Sequence, residues 1–326
     1  MKIAVIGGGA WGTAFSIYSS LLGHSVSIWV REKELVKEMR EKRENTFFLP
    51  EIKIPEDIEI FNEIEKVLKK SEIVFFAVPS KYSRSVLKEL AKNKKDIPIF
   101  ISLTKGIEIE SLKRVTEIAE EEIGIKEVGV LSGPSFAKEV AEGKPTSCVV
   151  ASKSEEISTT IQKIFSSDNL RLYRSNDIIG VELAGALKNV IAIAAGIVKG
   201  LELGMNALAS LITRGIVEIA RLGVKMGAKR KTFYGLAGIG DLILTCTGDL
   251  SRNRKLGIEL TKKKIEVISL HGQVAEGVTT AKAAYLLSKK FNVKMPITEE
   301  VYKIIYEGKD PVLSIKDLMR RRLKKE

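Results

Sequence analysis

The spacing of apolar positions divides the chain. Up to about residue 176, short apolar runs alternate with charged helical stretches. An almost unbroken apolar run follows from Ile178 to Val198, and beyond it the spacing is helical with almost nothing that reads as strand. In the first part the pattern predicts strands at Lys2–Ile6, Ser25–Val30, Ile73–Val78, Pro98–Leu103, Val128–Leu131, Thr146–Ala151 and Leu170–Tyr173. Helices are predicted at Thr13–Leu22, Ser80–Ala91 and Glu108–Glu122. A continuous apolar run such as IVFFAV is the signature of a buried parallel strand. Later helices are predicted at Asn206–Met226, Pro296–Glu307 and Ser314–Leu323, with another beginning near Ala275. The expected fold is an α/β, doubly wound, mostly parallel domain over 1–180, followed by an all-α domain over 181–326.

The apolar run is long enough to cross a membrane, yet Glu182, Lys188 and Asn189 lie well inside it. A lysine at the centre of a span costs about 2.5–3.5 kcal/mol on insertion scales. A buried core helix is therefore predicted, and its lysine needs a reason, because Lys is rarely buried unless paired. Its helical neighbours at three and four residues are Ala184, Gly185, Ile191 and Ala192. Three are small, so a ligand has room to approach. A lysine snorkelling at a domain junction is the alternative.

Composition narrows the setting. The chain has 326 residues with 29% charged, enough for two domains and too apolar for a disordered chain. Two distant cysteines, Cys148 and Cys246, suggest no disulfide framework and no metal site. The N-terminus runs directly into a strand, so a cytoplasmic location is expected. The net charge of +12 fits three readings: nucleic-acid binding, attraction of small anions, or the Lys/Glu-rich surface of a heat-adapted protein. Without a nucleic-acid motif or interleaved aromatics, the last two are favoured. No nucleic-acid partner and no membrane insertion are expected.

The motifs turn this frame into chemistry. Gly7, Gly9 and Gly12 fit G-x-G-x-x-G between a strand and a helix. The first allows the tight turn, the second lets a pyrophosphate approach, and the third lets the helix pack on the strand. At the end of the second strand Arg31 precedes Glu32. An arginine there pairs with a 2′-phosphate, so NADP(H) is favoured, with NAD(H) as the alternative. Lys105 and Ser135 follow strands in two different loops, where an open sheet binds ligands. An exposed loop lysine and a helix N-cap remain the plainer readings of these two. Ser251 is a good N-cap, and Arg252, Asn253 and Arg254 follow it in a first turn, where an anion would relieve the basic charge. Asp241 closes a glycine-rich stretch. A nicotinamide cofactor needs a proton donor from the protein. The two histidines, His24 and His271, sit in no convincing constellation, so Lys188 is the candidate. Burial and a second cation such as Lys105 would tune it towards neutrality.

Seven blocks then carry a family resemblance: GGGAWGTA, TKGIE at 104–108, LSGPSFA at 131–137, ELAGALKNV at 182–190, GLAGIGDL at 235–242, SRNR at 251–254 and AEGV at 275–278. In order and nearly end to end, they resemble the bacterial NAD(P)-dependent glycerol-3-phosphate dehydrogenases. The resemblance implies reversible reduction of dihydroxyacetone phosphate to sn-glycerol 3-phosphate for phospholipid synthesis. It implies Lys188 as proton donor and acceptor, with Asn189 and Thr245 close to the reacting group. Lys105, Gly133, Ser135, Asp241, Ser251, Arg252 and Asn253 would line the substrate site, the last two towards the phosphate. For the cofactor it implies Ala10, Trp11, Arg31, Phe48, Lys105, Ala137, Arg252, Val274 and Glu276 beside the glycine turn. Gly8 and Ala10 stand where Ala and Ser are commoner, and Phe48 where Tyr is frequent. A homodimer is expected.

Two other readings differ in testable ways. Enzymes of the 3-hydroxyisobutyrate and 6-phosphogluconate dehydrogenase group share this architecture but expect Asn four residues after the lysine, where this chain has Ala192. A dinucleotide-sensing regulator without catalysis would have no use for Lys105, Lys188 and Asp241 together.

Overall fold

Alternation along the first strand explains how its sheet is buried. Ile3 and Val5 pack into one apolar cluster, and Ala4 and Ile6 into another. Successive side chains of a strand point to opposite faces, so a strand apolar throughout needs cover on both sides. The computed structural model describes residues 1–262, 275–323 and 325. They form two units, Met1–Lys105 with Lys113–Val181, and Gly106–Leu112 with Glu182–Glu326.

The strands of the first unit are β1 (Lys2–Ile6), β2 (Ser25–Trp29), β3 (Glu44–Asn45), β4 (Leu49–Lys53), β5 (Glu59–Phe61), β6 (Ile73–Phe76), β7 (Phe100–Ser102), β8 (Val128–Ser132), β9 (Thr146–Ser152) and β10 (Leu170–Ser175). Its helices are α1 (Ala10–Leu21), α2 (Lys33–Lys42), α3 (Ile64–Leu68), α4 (Ser80–Ala91), α5 (Val115–Ile123), α6 (Ala137–Ala141) and α7 (Glu155–Phe165). Eight strands form one sheet in the order β10-β9-β8-β7-β6-β1-β2-β5, and β3 and β4 form a separate pair. The large sheet is parallel except between β8 and β9. α1, α2 and α7 cover one face with Phe15, Met39 and Phe165, and α3, α4 and α5 cover the other with Val67, Leu87 and Ile118. This is the doubly wound arrangement expected from the sequence.

The helix expected over Glu108–Glu122 begins instead at Val115. Residues 106–112 leave the first unit and belong to the second, and Leu112 turns the chain back with φ of 60°. Arg114 then opens α5 with a capping box to Glu117.

The second unit continues with α8 (Ile178–Gly200), which starts in the first unit, then α9 (Gly204–Lys225), α10 (Asp241–Thr247), α11 (Arg252–Leu260), α12 (Glu276–Lys290), α13 (Pro296–Glu307) and α14 (Pro311–Met319). Among the described residues no strand follows β10. α8 is long and apolar enough to span a membrane but is buried along nearly all its length. α8 and α11 meet backbone to backbone. A Cβ on Gly196 would lie 2.0 Å from the Arg254 carbonyl oxygen, and one on Gly257 would lie 2.0 Å from that of Ile193. Both positions therefore have to be glycine, and this close crossing fixes what faces what one and two turns away.

Candidate active site

The first part of the site is the turn between β1 and α1. Gly7 has φ of +123°, and a Cβ there would press 2.7 Å from the Ala77 carbonyl oxygen. A Cβ on Gly12 would lie 1.9 Å from the Gly7 oxygen, whereas one on Gly9 would meet nothing within 4 Å. Two glycines thus close the turn, and the third leaves open space above it. Gly9 is the N-cap of α1 and supplies no side-chain cap, so the helix start keeps its backbone donors for an anion. Ala10 and Trp11 begin that helix, and the buried indole Nε1 of Trp11 has no hydrogen-bond partner among the described residues. An open cradle, uncapped donors and an orphaned buried N–H fit the pyrophosphate of a dinucleotide.

Around the turn, Arg31 is exposed after β2, paired with Glu32 at 3.0 Å and lying 5.2 Å from the Tyr82 ring centroid. Phe48 packs edge-on against Phe47 and on the core below. Asn45 was not singled out by its sequence, yet it is fully buried and ties these parts together. Its Nδ2 donates to Gly8 O and Thr13 Oγ1, both at 2.8 Å, while its Oδ1 accepts from Phe48 N at 3.1 Å. A lone asparagine between two charged stretches carries no periodic signal, so only the folded backbone exposes this role.

Lys105 and Ser135 come together on one atom. The Lys105 ammonium donates to Gly133 O at 2.9 Å, and the Ser135 hydroxyl donates to the same oxygen at 3.0 Å. Ser135 is not a helix cap, because Phe136 occupies that position before α6, which Ala137 begins. Gly133 has φ of +148°, and a Cβ there would lie 2.9 Å from Cys148 Cα. A cation and a hydroxyl are thus gathered at the carboxyl end of β8, where open sheets bind ligands.

In the second unit, Lys188 lies in the middle of α8 and is 6% exposed. Its Nζ donates to Asp241 Oδ1 at 2.5 Å and to Thr245 Oγ1 at 2.8 Å. Thr245 passes its own hydrogen to the Asp241 backbone oxygen at 2.6 Å, so its oxygen is left to accept from the lysine. The sequence suggested a second cation beside Lys188. Within its own unit the contact is a fully buried carboxylate, Asp241, which balances the charge of the ammonium. The glycine-rich stretch before Asp241 forms a π-helical turn over Leu236–Gly240. Gly238 allows it, since a Cβ there would lie 2.2 Å from Phe233 O. Such turns recur where a helix must aim a side chain, and this one delivers Asp241 to the lysine. Cys246 is buried beside them, and burial pushes its thiol up to about 12.

At the next residue of α8, Asn189 faces the start of α11. Ser251 caps α11 by accepting from Arg254 N at 3.2 Å. Asn253 Nδ2 donates to Asn189 Oδ1, and Asn253 Oδ1 accepts from Gly277 N, both at 2.9 Å. Arg252 lies on the same turn. Surrounding protein desolvates its guanidinium and lowers its pKa, and the charge of nearby Glu276 opposes this. Arg254 turns back to Asp249 at 2.7 Å. Val274 and His271 lie outside the described residues. Among the described residues, no three or more His, Cys, Asp or Glu side chains are grouped to hold a metal ion.

These features have close counterparts. Residues 2–158 match the family model for the N-terminus of NAD-dependent glycerol-3-phosphate dehydrogenase, and residues 177–316 match that for its C-terminus. A glycerol-3-phosphate dehydrogenase (NAD(P)+) of Citrifermentans bemidjiense is 46% identical, with 100% of this chain and 98% of the relative covered. One from a Thermoanaerobacter species is 45% identical over 100% of this chain and 99% of the relative. A crystal structure of glycerol-3-phosphate dehydrogenase from Coxiella burnetii is 35% identical and superposes with a TM-score of 0.91, covering 98% of each chain.

Proposed function

The chain belongs to the NAD-dependent glycerol-3-phosphate dehydrogenase family, and we propose that it uses Lys188 as the proton donor in reducing dihydroxyacetone phosphate to sn-glycerol 3-phosphate. The reaction is NAD(P)-dependent and reversible, and its product feeds phospholipid synthesis. The observation that carries the role of Lys188 is its ammonium, buried in α8 and held by Asp241 and Thr245. When bound, the nicotinamide supplies the hydride. Lys188 gives its proton to the ketone oxygen during reduction and takes it back during oxidation. Asp241 holds the ammonium in place and balances its charge, and Thr245 fixes the third direction around Nζ. This supports general acid catalysis by a side chain pre-set in one geometry.

The substrate is a small dianion, and the chain supplies matching groups. Lys105, Gly133 and Ser135 at the end of β8, and Ser251, Arg252 and Asn253 at the start of α11, are its proposed ligands. The glycine turn, Ala10, Trp11, Phe48 and Ala137 would hold the dinucleotide, with Arg252, Val274 and Glu276 contributing from the second unit. Residues 1–180 would thus supply most of the cofactor contacts, and 181–326 the catalytic lysine with the remaining substrate ligands. Arg31 favours NADP(H) through its 2′-phosphate, and Glu32 leaves a carboxylate for the ribose hydroxyl of NAD(H). A cytoplasmic homodimer is the proposed form.

An assay of the purified protein with dihydroxyacetone phosphate and each cofactor tests this reading. Turnover is expected with both, faster at low concentration with NADPH. Arg31→Ala is expected to raise KM for NADPH about tenfold and KM for NADH much less, as loss of one charged hydrogen-bonding partner would. Turnover of a 3-hydroxy acid but not of dihydroxyacetone phosphate would overturn the assignment.

A further inference from the structure

In α14 the apolar side chains turn outward. Ser314 is its one buried residue, and Ile315 and Leu318 are half-buried beside it. Successive helical residues turn by about 100°, so Met319, Val312, Lys316 and Leu313 share one arc of about 120° on the side away from Ser314. The apolar members of that arc, Met319, Val312 and Leu313, are 79%, 43% and 53% exposed. Single exposed apolar residues are ordinary, but three on one face of a nine-residue helix leave that face without cover. The helix is held from its other side. Lys309 bonds Glu300 of α13 and reaches Asp317 of α14 at 2.7 Å. Asp310 caps α14 by accepting from Val312 N at 2.8 Å and Leu313 N at 3.1 Å. Positive charge is gathered at the same place. Arg320, Arg321, Arg322 and Lys325 follow α14, all exposed, with Leu323 among them at 93% exposure. Of residues 311–325, six are Lys or Arg and only Asp317 is acidic, and Lys309 already pairs it. The three arginines enter no ion pair among the described residues.

We propose that α14 and the basic segment after it dock on an anionic lipid surface: the cations meet the head groups, and Val312, Leu313, Met319 and Leu323 enter the boundary beneath them. Basic amphipathic helices bind in the plane of the membrane interface in this way, without crossing the bilayer. Lys and Arg stems lie along apolar surface while their charges stay in water, so an arc that mixes the two suits both layers. Two other occupants fit less well. A second copy would bring six like charges against these six. A nucleic-acid backbone would satisfy the cations but leave the apolar side chains with nothing to bury them. The inference is independent of the reaction proposed above, since it concerns where the enzyme sits and not what it turns over.

Co-sedimentation of the full chain with vesicles tests this. One set is phosphatidylcholine alone, and the other carries about one third phosphatidylglycerol to supply negative charge. The chain is expected to partition onto the anionic vesicles at least about tenfold more strongly than onto the neutral ones, and less as salt shortens the Debye length. Arg320→Gln/Arg321→Gln/Arg322→Gln should weaken that partition about 100-fold, at roughly fivefold per charge. Leu313→Ser with Met319→Ser should weaken it about tenfold or more through lost apolar burial. All five positions face solvent, so melting temperature and kcat/KM without vesicles should be unchanged. Equal partition onto both vesicles, or none onto either, would overturn the proposal. Charge-dependent binding that ignores the two serine substitutions would also overturn it, leaving plain adsorption to polyanions, nucleic acid included. A halved particle mass in the serine variant, with no lipid binding by the intact chain, would assign the face to a second copy instead.

Discussion

At the scale of the residue, the decisive fact is the company Lys188 keeps. A buried ammonium is costly unless a carboxylate and further acceptors replace its water, and Asp241 with Thr245 does so. Removing the lysine therefore has two separable effects. Lys188→Ala should lower turnover about 10²–10⁴-fold, the usual worth of a placed general acid. It also strips the buried Asp241 of its ammonium, which should cost about 3–5 kcal/mol of stability. Cofactor binding should survive, because the glycine turn belongs to the other unit; quenching of Trp11 on titration with NADPH would measure it. Lys188 and Asp241 were both visible in the sequence as misfits, one a charge in an apolar helix and the other an acid after glycines. Their pairing was not, since 53 residues separate them and no periodicity links α8 to α10.

At the scale of the element, helix ends are finished by distant residues. Glu218 of α9 is buried and accepts from Ile297 N at 2.8 Å and from Thr298 N at 3.2 Å, capping α13 just after Pro296. Burial raises its pKa from 4.5 to about 7 in spite of these bonds. The folded state thus holds this proton more tightly than the unfolded chain. Stability from this group is greatest below about 4.5, falls as pH rises, and is lost once pH passes about 7. The difference is on the order of 3 kcal/mol. Melting temperature followed by calorimetry should accordingly decline from about pH 5 to 8, and Glu218→Gln should flatten that decline. The elements themselves were unevenly legible. α4 and α13 begin and end where apolar spacing, Pro79 and Pro296 put them, and the β1–turn–α1 unit follows its glycines. The short β3–β4 pair escaped because Glu44–Asn45 and Leu49–Lys53 are too short and too polar to alternate. The turn over Leu236–Gly240 escaped because its hydrogen bonding depends on packing against Phe233, which propensity does not encode.

At the scale of the whole molecule, the charge of +12 acts on ligands that are all anions. A field of that sign raises the encounter rate of dianionic substrate and cofactor, and salt weakens it. Between about 10 mM and about 0.15 M ionic strength the Debye length shrinks from about 30 Å to about 8 Å. kcat/KM for dihydroxyacetone phosphate should fall about threefold or more over that range, with kcat nearly constant. The same scale brings out the path of the chain through residues 106–112. The sequence leaves the sheet unit after Lys105, lends seven residues to the helical unit, and returns at Lys113. The gene therefore does not carry the helical unit as one cassette. A chimera that exchanges it between relatives at a single junction near Val181 inherits residues 106–112 from the wrong parent, with buried Ile107 and Glu108 among them. Recombination can shuffle the two halves cleanly only by cutting at three places, so the two units are bound to evolve as one inheritance.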